Sequence, residues 1–577
     1  MDSNKRARPA RAAQINAVTQ LHQAFQPQPL YQPSTGAISS SGTSTPPTSS
    51  MPFVASTLAP QIPAGNPIPV ASTNGNSTAP IPAATVGRGK RSASEEVALM
   101  TADERISSMR RSAPIIYDSI LHHNLDWGSL SVCWGGEASG AGRILVSENS
   151  TTLPEQYNTE QTIYFAGRTD GTYDSAARVW TGSPGELFVG HVAIAKPRTV
   201  ARNSIGKFQE NKRSSRIAVS KRIIHPGEVN RIRALPSAPH LIATHTDSPT
   251  VYVWNTLTQP HRTENMTFDD GKGSSSGGAS GANGPANTGG KKKNAGWSEP
   301  CKCSVPDFEL IGHSSPAEYA LDTKGADRVL SGGSDEKVLL WSLQDSSTGT
   351  SRIEPLCKFE GHTATVEDCS FKPLEGSGDL CCSVGQDRTL FLWDTRTGKY
   401  SEKRQNIHSA DANCCAWSTK DYILTGGSDS VVNVFDIRKL DTPVTSITQK
   451  ASVINVRWSP DDSNVFVTTD EDANLTIYKL DQATKKANTI FQHMGHRTSV
   501  VDVQFNPVQP WVLASVSDDS QDEARGGGGT LQIWRVSEFV YKSLGDREWA
   551  TELEQAFLKS TSSRPNAASE EESGDEA

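Results

Sequence analysis

SGGSDEKVLLW, residues 331–341, is followed by SVGQDRTLFLW at 383–393 and by TGGSDSVVNVF at 425–435. The three align without gaps. In each, a Ser or Thr stands four residues before an Asp, and that Asp stands six before the closing aromatic. TTDEDANLTIY (468–478) keeps the spacing, HTDSPTVYVW (245–254) slips by one residue, and SVSDDSQDEARGGGGTLQIW (515–534) is stretched by a Gly-rich insertion. A His lies upstream of each main copy, at His225, His313, His362, His408 and His496, and three of these are Gly-His. Self-similarity at a fixed period marks a repeat architecture, in which one small unit is stacked to bury a continuous core.

The interval from Trp393 to Phe435 is 42 residues and from Phe435 to Tyr478 it is 43. A four-stranded unit of about 40 to 45 residues, with Gly-His near its start and Trp-Asp near its end, is the WD repeat. Six copies are recognisable, and the strand-rich stretch from Leu130 to Lys196 supplies a degenerate first one. The expected fold is all-β: a seven-bladed WD-repeat β-propeller over 125–540, with an N-terminal helix, a short C-terminal helix and disordered flanks.

The N-terminal helix is expected over 101–124. Thr101-Ala-Asp-Glu104 reads as a capping box, and Ile106, Met109, Ile116 and Ile120 give an apolar stripe that Pro114 should kink or interrupt. Residues 1–100 are rich in Pro, Ser, Thr, Ala and Gln, with tracts such as TSTPPTSS (43–50), and read as a disordered arm. Residues 266–300 read as a disordered insertion between blades, 546–560 as an amphipathic helix carrying Trp549, Leu553 and Phe557, and 561–577 as an acidic tail.

Charge divides the chain. Residues 1–112 carry ten Lys or Arg and five Asp or Glu, so with −8 overall the remainder holds −13. An acidic body disfavours direct nucleic-acid binding by the propeller and favours a basic protein partner. The nine cysteines form no C-x-x-C pair and read as buried thiols of a reducing compartment. No apolar run is long enough for a membrane span, so a soluble intracellular protein is expected. GPANTGGKKK (284–293) fails as a phosphate loop, and no cofactor or metal is expected. Lys5, Arg6, Arg8 and Arg11, and Arg88, Lys90 and Arg91, form short basic clusters compatible with nuclear import.

His362, Ser383 and Asp387 invite a nucleophilic triad, but the trio recurs as His313, Ser331, Asp335 and as His408, Thr425, Asp429. An enzyme does not need a triad in every blade. The structural account is a chain from Asp to His to Ser or Thr to Trp, ending on Trp393 or Trp341. Acidic residues at blade starts are more specific. Counting from each His, Glu228 and Asp411 fall third and Glu318 and Glu367 fifth, whereas Asp502 falls sixth. Side chains alternate along a strand, so odd offsets share an orientation, expected to be toward the channel mouth. Four carboxylates there would attract a Lys or Arg side chain of a threading peptide; scattered, solvated carboxylates are the alternative.

IIYDSILHHNLDWGSLSVCW (115–134), HPGEVNRIR (225–233), IATHTDSPTVYVWN (242–255), HTATVEDCSF (362–371), WDTRTG (393–398) and GGGGTLQIWR (526–535) together resemble the nuclear histone-binding WD-repeat proteins first described as retinoblastoma-associated, and among them the plant and algal FVE branch. The similarity runs from about Pro114 to Phe557. It implies a nuclear, non-enzymatic adaptor in transcriptional repression, a subunit of histone deacetylase, Polycomb-type or chromatin-assembly complexes, with histones H3 and H4 as partners. A histone tail would lie on Glu228, Glu318, Glu367 and Asp411, and a histone helix in a groove beside the N-terminal helix. The loop forming one wall of that groove in other members reads LDQATKKANTIFQH (480–493), and Lys485 and Lys486 leave the wall missing or reversed. Asp394 and Arg396 after Trp393, partly repeated by Arg438, resemble the W-D-x-R motif of propellers that dock on a cullin ubiquitin-ligase adaptor. A ligase substrate receptor or scaffold is therefore the alternative function.

Overall fold

The computed structural model describes residues 101–137, 158–262, 300–346, 352–373, 380–519 and 528–542. The expected N-terminal arm, nearly all of the 266–300 insertion, the 546–560 helix and the acidic tail lie outside them.

The first element, α1 (Ala102–Ile116), begins as its sequence dictates. Glu104 N–H donates to Thr101 Oγ1 at 3.3 Å, and Thr101 N–H donates back to Glu104 Oε2 at 2.9 Å, closing the capping box. Asp103 and Glu104 place negative charge on the positive end of the helix dipole. The helix stops eight residues short of the expected end. Pro114 offers no N–H to the preceding turn, and by Tyr117 the backbone is extended, with φ −115° and ψ 145°. Residues Tyr117–Leu125 form a strand, and Ile120 belongs to it rather than to a helical stripe.

Among the described residues, seven sheets each contain four antiparallel strands: blade 1 (132–224), blade 2 (231–310), blade 3 (321–360), blade 4 (366–404), blade 5 (412–448), blade 6 (453–493) and blade 7 (500–536 with 117–125). Blade 2 gains a fifth, parallel strand, Arg352–Ile353. Blade 7 takes its outer strand from the other end of the propeller chain: Tyr117–Leu125 runs antiparallel to Gly529–Val536, with Ile120 opposite Trp534 and Leu125 opposite Gly529. This pairing fastens the first and last repeats together and removes the free edges that an open stack would leave.

The core proves the ring. Each of seven apolar clusters spans two neighbouring blades, and the series returns to its start. Phe359 of blade 3 packs on Trp393 of blade 4, Cys382 of blade 4 lies with Trp417 of blade 5, and Leu424 of blade 5 lies with Phe466 of blade 6. Val467 of blade 6 meets Leu513 of blade 7, and Val516 of blade 7 meets Ile163 of blade 1. Met109 and Ala113 of α1 are fully buried in the blade 6 and 7 cluster, so the helix caps the seam where the ring closes. A three-stranded sheet of Thr172–Asp174, Val179–Thr181 and Cys301–Lys302 stands apart, packed through Trp180 and Cys303. All nine cysteines are unbridged and eight are buried.

Candidate functional site: an acidic channel mouth

The repeated His, Ser or Thr, and Asp residues set the turns that frame the mouth. In blade 4, Asp387 Oδ2 lies 2.9 Å from His362 Nδ1, His362 Nε2 lies 2.8 Å from Ser383 Oγ, and Trp393 Nε1 donates to that hydroxyl at 2.8 Å. Blade 3 repeats the first two links, with His313 at 2.9 Å from both Asp335 and Ser331. Its last link differs from expectation: Trp341 Nε1 donates to the Ile311 carbonyl at 3.0 Å, because His245 Nε2 of blade 2 occupies the Ser331 hydroxyl at 2.9 Å. In blade 5, His408 joins Asp429 and Thr425 at 3.0 and 2.9 Å. Ser331, Ser383 and Thr425 have no exposed surface, which removes them as nucleophiles for an outside substrate. Burial alone would raise Asp335, Asp387 and Asp429, but their histidine partners and backbone amides hold them below the ordinary aspartate range.

Of the four carboxylates expected at the mouth, Glu367 feels the charges of two others. Burial pushes the Glu367 carboxyl above the usual glutamate range against a hydrogen bond from Gln386 Nε2 at 2.8 Å, and the charges of Glu318, Asp411 and Asp368 push it further. Glu318, before blade 3, and Asp411, before blade 5, thus each stand close enough to Glu367 of blade 4 for their charges to act on it. Among the described residues none of the three has a lysine or arginine within ion-pair distance. Alternation along a strand is not what aims them. Glu228, Glu318 and Asp411 all precede the inner strands of their blades, which begin at Arg231, Leu321 and Ala412. Glu367 is the extra residue of a bulge, between Val366, which faces Gly385, and Asp368, which faces Val384. A bulge turns its side chain out of the pleat.

Glu228 is held differently. Its Oε1 accepts the Thr169 N–H at 3.1 Å, and its Oε2 lies 3.8 Å from Arg168, which also pairs with Asp518 at 2.7 Å. It is a partly neutralised anion on the blade 1 side. Sequence reasoning missed Arg168, Gln386 and Tyr319. Tyr319 is 39% exposed beside Glu318, and burial followed by the charges of Glu318 and Asp247 raises its phenol. Only its place next to Glu318 could have signalled it.

Below the mouth the channel charges are compensated. Asp502 has no exposed surface and sits 3.3 Å from Arg233 and 3.6 Å from Arg231, and it accepts from Ser131 Oγ and Asn455 Nδ2, each at 2.7 Å. Desolvation opposes its ionisation, yet Arg233, Arg231 and Arg457 hold it below the ordinary range. Buried and paired in this way, Asp502 offers no exposed carboxylate.

Beside α1, Glu210 pairs with Arg110 at 2.8 Å and with Arg497 at 2.6 Å, and Arg497 reaches Asp103 at 2.7 Å. The 480–487 loop is a tight turn facing blade 5: Lys485 Nζ lies 3.1 Å from Tyr422 Oη and 3.0 Å from Gln482 Oε1. Arg396 and Arg438 are each 68% exposed and clamp their own Asp394 and Asp436, at 2.9 and 2.6 Å.

The match to known proteins follows the same parts. A family model for the histone-binding protein RBBP4 and its counterpart in the CAF1 complex matches residues 104–179, which span α1, the closing strand and the start of blade 1. The WD domain, G-beta repeat model matches 353–394, 401–436 and 487–535. The chain is 36% identical over 496 residues to the WD-40 repeat-containing protein MSI4 of Arabidopsis thaliana, covering 79% of this chain and 85% of that protein. Its identity to MSI3 of the same plant is 25% over 467 residues, 78% of this chain and 93% of that protein. With that identity across a ring of repeats whose helix and first blade match the histone-binding model, the chain belongs to the RBBP4 and MSI family of histone-binding WD-repeat proteins.

Proposed function

We propose that the chain is a nuclear, non-enzymatic adaptor that presents histones to enzymes carried by its partners in histone deacetylase, Polycomb-type or chromatin-assembly complexes. The observation that carries this reading is the crowding of Glu367 by the charges of Glu318 and Asp411, none of the three having a lysine or arginine within ion-pair distance among the described residues. Carboxylates forced together gain by accepting a cation from outside, and a Lys or Arg side chain of an H3 tail is such a cation. Glu228, tied to Arg168, borders this site and contributes less. A groove beside α1 is a second contact, for H4, although the acidic residues there, Glu210 and Asp103, are already paired with Arg110 and Arg497. The test is a fluorescence-anisotropy titration of labelled unmodified H3 tail peptide with the full chain at physiological salt. Binding should weaken by at least about tenfold on Glu367→Lys, while unchanged affinity in a folded variant rejects the mouth.

The exposed arginines support a second reading. Arg396 and Arg438, each preset by a bidentate contact to the Asp two residues before it, form two similar guanidinium knobs on blades 4 and 5. A ligase-adaptor surface using Asp394, Arg396 and Arg438 requires that Arg396→Ala with Arg438→Ala abolish co-purification with the adaptor and leave H3 peptide affinity unchanged.

A further inference from the structure

The inner strand of blade 4, Val366–Phe371, begins beside the acidic mouth at Glu367 and ends at Lys372. Lys372 therefore stands at the opposite end of that strand from Glu367. A recess of about 320 Å³ there is lined by Lys372, Lys420, Asp421, Tyr422, Arg438 and Gln482. Lys485 joins them from the blade 6 turn, with its Nζ against Tyr422 Oη and Gln482 Oε1.

The cations are prepared rather than loose. Lys372 is only 12% exposed, pairs with Asp421 at 3.3 Å and lies 5.8 Å from the centre of the Trp417 ring. Arg438 is fixed by Asp436, which its guanidinium, and then Lys485 more weakly, hold below the ordinary aspartate range. Lys485 is held by the turn that places it at φ +56°, donates to the Tyr422 hydroxyl and the Gln482 amide oxygen, and acts through its charge alone on Asp436 and Asp481. Lys420 reaches only the Asn464 amide oxygen, at 3.5 Å. Four cations thus face three carboxylates, Asp421, Asp436 and Asp481, leaving a net charge of about +1 around a buried-ring hydroxyl. A phosphate monoester carries about −1.5 to −2 at neutral pH and accepts through three oxygens.

We propose that this recess between blades 4, 5 and 6 is a binding site for a phosphorylated serine or threonine of a partner peptide. A shallow recess of this size suits one phosphate on a side chain, whereas a nucleic-acid backbone needs a row of cations, and the −13 body repels a polyanion. Lys420 and Lys485 supply the uncompensated charge, and Tyr422 and Gln482 the neutral contacts.

The test is a fluorescence-anisotropy titration of the full chain with fluorescein-labelled Gly-Ser-phosphoserine-Ser-Gly. The unphosphorylated peptide, its glutamate analogue and a labelled oligothymidine are the comparisons. The phosphopeptide should bind at least about tenfold more tightly than either other peptide, and Lys420→Gln with Lys485→Gln should remove the difference. The single change Lys420→Gln, at an exposed side chain, should weaken binding by at least about threefold with an unaltered melting temperature, which separates loss of the site from loss of the fold. Absence of phosphate-dependent binding, its persistence in the double variant, or tighter Lys420-dependent binding of oligothymidine would each overturn the proposal. H3 peptide affinity should be the same in the variant, because the mouth lies at the other ends of the strands.

Discussion

Gln386 donates its side-chain amide to Glu367 at 2.8 Å, and this is the one hydrogen bond that keeps a carboxyl crowded by Glu318 and Asp411 from rising further. The pair explains how an unfavourable concentration of negative charge persists. The turn bearing Gln386 is held through its neighbour Asp387 by His362, so the structural repeat stabilises the site it surrounds.

Glu367→Gln should therefore stabilise the protein while weakening histone-tail binding. A carboxyl whose folded pKa is raised costs stability wherever it is ionised in the native state, so the neutral amide removes that cost at neutral pH. The check is a thermal melt beside a peptide titration. A higher melting temperature with lower affinity is expected, whereas a lower melting temperature would contradict the electrostatic account.

Tail binding should also fade in acid sooner than an ordinary glutamate would allow. Protonation of Glu367 removes attraction for a cation, and its raised pKa brings that loss to higher pH. Affinity of Glu367→Gln should lack this acid limb, measured from neutral pH down to the onset of unfolding.

Ser383→Ala leaves His362 Nε2 and Trp393 Nε1 buried without their shared partner. At about 1 to 3 kcal/mol for each stranded group, the expected destabilisation is roughly 2 to 6 kcal/mol, read from urea unfolding. Asp502→Ala, which strands Arg231 and Arg233, should cost about 3 to 5 kcal/mol with no change in the salt dependence of tail binding.

Stability should fall as the medium is acidified below the ordinary histidine range. Burial lowers His225 and His493 to about 3, and burial, with Arg213 adding, lowers His123 to about 4. These rings stay neutral in the native state and accept protons once unfolded. Their contribution is complete above about pH 6.5 and is lost as pH falls from there toward 3 to 4, by up to about 1.4 kcal/mol per pH unit for each ring. The urea midpoint between pH 7 and 5 measures it, and a flat profile would contradict the buried, neutral assignment.

What was legible in the sequence was what is local. The Ser383, Asp387 and Trp393 spacing lies within one hairpin, so turn and ring chemistry repeat at fixed offsets and reveal the blades. The closing strand was not legible. Tyr117–Leu125 is covered on both faces, with α1 on one side of the seam, so it shows no strand alternation, while Ile116 and Ile120 stand four apart and imitate a helix. The mouth was half legible. The charges of Glu318 and Asp411 act on Glu367, but a bulge and the loops, not the strand alternation read from the offsets, carry the three side chains. Arg168, which draws Glu228 away, comes from another blade that no local pattern connects to it. Trp341 departed from the repeat for the same reason, since the competing His245 belongs to the neighbouring blade.

The most direct test of the central claim is a double-mutant cycle by isothermal titration calorimetry, pairing Glu367→Gln in the full chain with removal of a single basic charge from the H3 tail, each Lys or Arg replaced in turn by norleucine or citrulline. A carboxylate that contacts the tail's cation predicts one position whose loss is coupled to Glu367→Gln by at least about 1 kcal/mol. Strict additivity at every basic position, with the affinity otherwise intact, would show that the tail binds elsewhere and contradict the account.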